Sequence, residues 1–131
     1  MENRRLKTTE VSPARDILLK KQNYTCILCG GRMKTLKDKR PVLDHDHKTG
    51  FIRDVLCLNC NGIEGKVFNL ARRARNGMSE IEWIERLVAY WRRHEKPQHG
   101  GVWHPAHKTE AEKRLARNKK AREKRAALKE K

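Results

Sequence analysis

Long apolar runs are missing from this 131-residue chain. None approaches the roughly 18 residues a membrane-spanning helix needs, which excludes a transmembrane protein. No apolar stretch follows Met1-Glu2-Asn3-Arg4-Arg5-Leu6, so no secretory signal is expected and the chain should stay in the cytosol that makes it. Acidic residues are scarce, with 16 Asp and Glu against 32 Lys and Arg, a net charge of +16. Apolar residues make up 37%, no more than the charged share, so the core must be small for the length. A core that small usually needs a staple, and four cysteines are there to supply one. The length supports one domain with room for a tail. Charge of this sign and size points to a polyanionic partner, with nucleic acid ahead of an anionic membrane surface.

The chain divides by composition. Residues 1–12 are polar and expected to be flexible. A folded domain is expected over 13–95, a linker over 96–107 and a basic tail over 108–131. Ser12-Pro13 reads as a helix N-cap followed by proline at the first helical position. Ile17 and Leu18 carry that helix to about Gln22, and Asn23 is its left-handed stop. After a basic loop from Lys34 to Arg40, Pro41–His45 reads as a strand, Lys48-Thr49-Gly50 as a turn and Phe51-Ile52-Arg53 as the returning strand. Val67, Leu70, Ala71 and Ala74 share one face of a helix that Asn76-Gly77 ends. Ser79 to Glu82 fits a capping box for the next helix. Its stripe of Ile81, Ile84, Leu87, Val88 and Trp91, flanked by Trp83 and Tyr90, is expected to pack as core. The tail holds 11 Lys and Arg against four acids, forms helix readily and lacks a packing stripe. It is either a solvated extension or a basic arm that orders on phosphates.

The cysteines form two Cys-x-x-Cys pairs, Cys26/Cys29 and Cys57/Cys60, separated by 27 residues. Four soft ligands in two tight turns match a closed, tetrahedral, structural zinc site. Two disulfides, an iron–sulfur cluster or unrelated buried thiols are the alternatives. Cytosolic location weighs against disulfides, and paired spacing against accident.

Between and just beyond the pairs lie Asp44-His45-Asp46-His47, Asn61 and Glu64. They supply a general base, hard oxygen ligands and a neutral amide, which phosphodiester hydrolysis requires. An imidazole with a pKa of about 6.5 suits the base, and carboxylate and amide oxygens suit Mg²⁺. A regular strand sends Asp44 and His45 to opposite faces, so both reach one site only where the strand bends or ends. Asn61 and Glu64 share a helix face if a helix starts at about Leu58. A polar turn, a second zinc site and a simple helix cap at Asn61 stay open as readings of the same residues. His99, His104 and His107, with Trp103, show no ligand spacing and read as linker residues.

Taken together, Cys26-x-x-Cys29, Leu43-Asp44-His45-Asp46-His47-x-Thr49-Gly50 and Arg53-x-x-Leu56-Cys57-x-x-Cys60-Asn61-x-x-Glu64-Gly65 resemble the recombination endonuclease VII family of bacteriophages. The resemblance implies an α+β fold: a small zinc-stapled ββα-metal (His-Me finger, HNH-like) domain with flanking helices and a basic helical tail. It implies His45 as the general base and Asp44 and Asn61 as ligands of a catalytic Mg²⁺ or Mn²⁺. Glu64 falls at the edge of that metal site, and His47 on a second histidine that places substrate. Cys26, Cys29, Cys57 and Cys60 become the ligands of one structural Zn²⁺. The partners implied are DNA, branched or duplex, and a second copy in a homodimer, in the cytoplasm of a bacterial host. Arg53, Lys48 and the tail residues Arg114, Arg117, Lys119 and Lys120 are the expected DNA contacts. Asp54 stands where the family usually has glycine, and Asp is among the residues that tolerate a left-handed backbone. The expected function is a metal-dependent DNA endonuclease selective for branched DNA. A sequence-directed nicking or homing-type HNH endonuclease and a non-catalytic zinc DNA-binding protein are the rivals.

Overall fold

The computed structural model describes residues 3–34 and 38–130, so part of the basic loop lies outside the described residues. Helices and one two-stranded antiparallel sheet make a mixed α+β chain in the order α1 (Val11–Lys21), β1 (Pro41–His45), β2 (Ile52–Cys57), α2 (Leu58–Ala74), α3 (Glu80–Arg93) and α4 (Glu110–Lys129). The chain forms two compact units, Met1–Leu87 and Val88–Lys131.

Helical structure in the first unit begins at Thr8. A 3-10 turn at Thr8–Glu10 runs directly into α1, which places Ser12 inside the first helical turn rather than at its cap. Glu10 holds that entry, accepting the Lys7 N–H at 2.6 Å and pairing with Arg4 at 3.1 Å. Pro13 is tolerated because first-turn N–H groups have no intrahelical partner to lose. Asn23 stops the helix with φ 52°, as its type predicts, and Tyr24 follows it at 59°.

The core comprises Leu19, Cys26, Met33, Val55, Leu56 and Cys57, with Leu18, Leu43 and Cys60 packed against it. Two of the four paired cysteines, Cys26 and Cys57, are thus core residues, in keeping with so small an apolar content. Gln22, at the end of α1, completes the sheet in place of a third strand. Its side chain accepts the Val55 N–H at 2.8 Å and donates to the Val55 carbonyl at 2.8 Å. Val55 has no solvent exposure, so those backbone groups depend on this one amide.

The hairpin begins where the sequence puts it, but β2 runs from Ile52 to Cys57 and leaves Phe51 outside. Pairing runs Pro41↔Cys57, Val42↔Leu56 and Leu43↔Val55, then shifts to His45↔Ile52. One residue of β1, Asp44, therefore opposes two of β2, Arg53 and Asp54, in a β-bulge. Asp54 has no need of a left-handed backbone: it lies within β2, at the bulge, and is not at positive φ.

Helix α2 starts at Leu58 and gives way to Asn76 and Gly77, both at positive φ, as expected. Its inward face is different. Ala71 is fully buried and Asn61, Glu64, Phe68 and Arg75 are half-buried, whereas Val67, Leu70 and Ala74 are exposed. Ser79 caps α3 by accepting the Glu82 N–H at 3.1 Å, but Glu82 turns to Arg86 instead of closing the box. The α3 stripe does not form core within the single chain: Ile81, Tyr90 and Trp91 are exposed, and Ile84, Leu87 and Val88 are half-buried. In the second unit, α4 has no buried residue and is capped by Thr109 and Glu112, each accepting the other's N–H.

Replacing Gln22 with Ala orphans the buried N–H and C=O of Val55 and should cost about 3 kcal/mol of unfolding free energy. Urea denaturation reads this directly, and a loss under about 1 kcal/mol would mean that water serves both groups.

Candidate metal centre and catalytic cleft

The four cysteine sulfurs lie within 4.8 Å of one another. A tetrahedral ion with ligands at about 2.3 Å separates its sulfurs by about 3.8 Å, so small adjustments close such a site. Backbone N–H groups already point at the sulfurs. Cys57 N–H donates to Cys26 Sγ, Cys60 N–H to Cys57 Sγ and Gly31 N–H to Cys29 Sγ, each at 3.4 Å. Burial works against ionising Cys26, but the N–H groups of Cys29, Cys57 and Leu28 bring its pKa down to about 6. The Gly31 N–H lowers Cys29 as well. Cys60 moves the other way, pushed up to about 12 by burial and by its sulfur neighbours. Thiols this crowded do not all shed protons unless a cation joins them.

Lys39 supplies a charge from outside the cluster, its Nζ 3.6 Å from Cys29 Sγ and 4.0 Å from Cys57 Sγ. A divalent ion with four thiolates carries a net −2, and the ammonium offsets half of it. Gly31 leaves room for this arrangement: a Cβ there would come within 3.2 Å of Cys29 Sγ and 3.3 Å of Lys39 Nζ. The donor set therefore fits a soft, structural metal ion.

The sulfur cluster holds the hairpin that carries Asp44 and His45. Asp46, beyond the strand, builds the turn: its Oδ1 accepts the N–H groups of Lys48 and Thr49, each at 2.8 Å. Those two N–H groups, Thr49 first, hold its carboxyl below the usual range. The polar-turn reading is thus right for Asp46. Asp44 is different, buried at 6% exposure and facing across the bulge. Arg53 Nη2 lies 2.6 Å from Asp44 Oδ2 and 3.2 Å from Glu64 Oε2. Asp44 first and then Glu64 raise the Arg53 pKa, so the guanidinium stays charged between the two carboxylates. Two carboxylates from a strand and a helix converge on one positive group. That donor set suits a hard cation, and Asn61 stands half-buried one turn before Glu64 on the same helix.

His45 ends β1 on the exposed side, and its ring centroid is 5.0 Å from that of His47. Asp44 and His45 open onto a cleft of about 580 Å³ whose lining also includes Arg4, Arg5, Phe51 and Ile52. The family model of recombination endonuclease VII matches residues 2–93. The chain belongs to the recombination endonuclease VII family. It is also 35% identical over 72 residues to the Gene 59 protein of Mycobacterium phage D29, a match covering 55% of this chain and 37% of that protein. The chain thus spans little more than a third of that relative's length.

In this endonuclease VII family member the expected site residues fall into groups. Asp44 and Glu64 come together on Arg53 through the hairpin and α2, and His47 lies beside His45, the residue that follows Asp44 in β1. Arg53, expected to hold DNA, is turned onto the two carboxylates instead, and Lys48 pairs with Glu80 at 3.0 Å. Arg114, Arg117, Lys119 and Lys120 are all exposed on α4. Among the described residues no further group of three His, Cys, Asp or Glu could hold a metal, and His104 accepts the Ala106 N–H at 3.1 Å. Sequence reasoning passed over Arg4 and Arg5. Their adjacent positive charges were the available signal, hidden by a stretch that reads as loose.

The purified protein should hold about one tightly bound metal ion per chain, and Cys57→Ser should lose both metal and cooperative unfolding. Lys39→Met should weaken metal retention about tenfold in a chelator competition. Full retention would show that the ammonium contributes nothing to the cluster.

Proposed function

We propose that this chain is a metal-dependent endodeoxyribonuclease of the ββα-metal (His-Me finger) kind, with a structural zinc ion and selectivity for branched DNA. The observation that supports it most is the convergence of Asp44 and Glu64 on the charge of Arg53, with Asp44 and its neighbour His45 also lining a cleft that includes Arg4 and Arg5. A DNA backbone lying in that cleft brings a phosphodiester to the imidazole.

His45 then takes a proton from water, whose oxygen attacks the phosphorus and leaves a 5′-phosphate and a 3′-hydroxyl. Asp44 and Asn61 are the ligands for a divalent Mg²⁺ or Mn²⁺, with Glu64 at the edge. When bound, that cation supplies charge to the scissile phosphate and the departing oxygen. His47 lies against His45 and steadies the substrate next to it. Zinc is the metal for the four thiolates, since it favours tetrahedral sulfur sites and does no chemistry there. The exposed cations of α4 meet phosphates without reading bases, which suits recognition of DNA by shape.

A homodimer accompanies this reading. Ile63, Val67 and Leu70 recur at helical spacing on α2 and are all exposed, an apolar stripe that a second copy can cover. Val67→Glu with Leu70→Glu should give a monomer in sedimentation analysis where the wild type sediments as a dimer. A wild-type monomer would sink this part.

For catalysis, His45→Ala should cut a synthetic four-way junction at least about 100-fold more slowly while binding it as before. Equal cutting by variant and wild type would rule out His45 as the base. Preference for one linear sequence over the junction would favour the homing-type alternative.

A further inference from the structure

Glu80 is a buried carboxylate that the proposed reaction does not use. It opens α3, and its side chain is 4% exposed. Three cations gather on it. Lys48 Nζ donates to Oε2 at 3.0 Å, Arg75 Nη1 to Oε1 at 3.1 Å, and Arg72 Nε lies 4.0 Å from Oε1. Its own N–H and then Lys48 hold the carboxyl below the usual range, with Arg75 adding to the effect, so it carries its full charge near neutrality. Phe68 forms the floor, with Lys48 Nζ 5.4 Å and Arg72 Cζ 5.5 Å from its ring centroid. Arg72 is further fixed by its bond to Asn69 Oδ1 at 3.1 Å.

One carboxylate cannot balance three cations. Two positive charges remain, held close together against their mutual repulsion. Each side chain still reaches solvent, at 56% exposure for Lys48, 49% for Arg72 and 38% for Arg75. An ion-pair network serving stability alone gains nothing from this surplus. An incoming anion removes it. The place is informative too, because Lys48 is three residues beyond His45, within about 11 Å along the chain.

We propose that Lys48, Arg72 and Arg75, organised by Glu80 and Phe68, form a seat for one phosphate of the DNA backbone flanking the bond to be cut. This rests on the nuclease reading above for DNA as the source of the phosphate. The seat sets where the strand lies relative to His45, and carries no base selectivity.

The test is binding of a fluorescent four-way junction by the full chain over a range of salt concentrations, with Ca²⁺ replacing Mg²⁺ to prevent cutting. Arg75→Gln should weaken binding about tenfold and lower the slope of log K against log salt by about 0.9, the loss of one phosphate contact. Arg72→Gln, which removes the longer contact, should act in the same direction and guards against a folding defect in the first variant. Arg73→Gln removes the same charge from the same helix outside the cluster, and should change the slope by less than about 0.3. Equal effects of Arg73→Gln and Arg75→Gln, or an unchanged slope in both Arg72→Gln and Arg75→Gln, would overturn the seat. A wild type that binds no DNA would overturn the nuclease reading beneath it.

Discussion

The four-sulfur contact is the constraint on which the rest of the first unit depends. Among the described residues, Leu19, Met33, Val55 and Leu56 are the only apolar side chains in the buried cluster besides the cysteines themselves. So few groups bury too little surface to fix a hairpin and a helix by packing alone. Cys26 and Cys29 fasten the turn after α1. Cys57 ends β2 and caps α2, and Cys60 lies in the first turn of α2. A metal at that point ties helix, strand and helix together at one place. Asp44 on β1 and Glu64 on α2 are carried by elements tied in this way, and both reach Arg53.

Charge is arranged on the same economy. Among the described residues of this chain of net +16, two acids are buried, Asp44 and Glu80, and each meets positive charge from another part of the chain. Asp44 has Arg53; Glu80 has Lys48, Arg72 and Arg75. Leaving either carboxylate buried without its partners would be costly, so these pairs hold the loop after His45 and the end of α2 in register. The surplus cations face outward, where phosphate is the natural counter-charge.

Much of this was legible in the residues. The paired cysteines, the start of β1, the helix start at Leu58 and the stops at Asn23 and Asn76-Gly77 all rest on local chemistry that needs no neighbour. Gln22 was not legible, because its partner Val55 lies 33 residues away and nothing in a glutamine announces an amide-to-strand contact. The inward face of α2 was misjudged for a clearer reason. Helical positions advance about 100° each, which puts Asn61, Glu64, Phe68, Ala71 and Arg75 on one side. Val67, Leu70 and Ala74 then sit about 100° away from them. A helix that turns its site residues inward must leave that apolar stripe outside. The two expectations for α2 were incompatible, and the polar one prevailed because Arg53 and the hairpin hold it.

The bulge in β2 shows how a local irregularity decides which charge meets Asp44. Had the ladder continued from Leu43↔Val55 without interruption, Asp44 would oppose Asp54 on one face of the sheet. Two carboxylates directly across a strand pair repel, and Asp44 is buried, where the repulsion is least screened. Inserting one residue moves the pairing on to His45↔Ile52 and brings Arg53 to Asp44 while Asp54 stays exposed. The same insertion breaks the regular ladder opposite Asp44, the residue before His45. The buried acid and the exposed histidine, which a regular strand separates, therefore both open onto one cleft. Asp54 is tolerated for this reason: the backbone needs a bulge at that point, and a bulge does not require glycine.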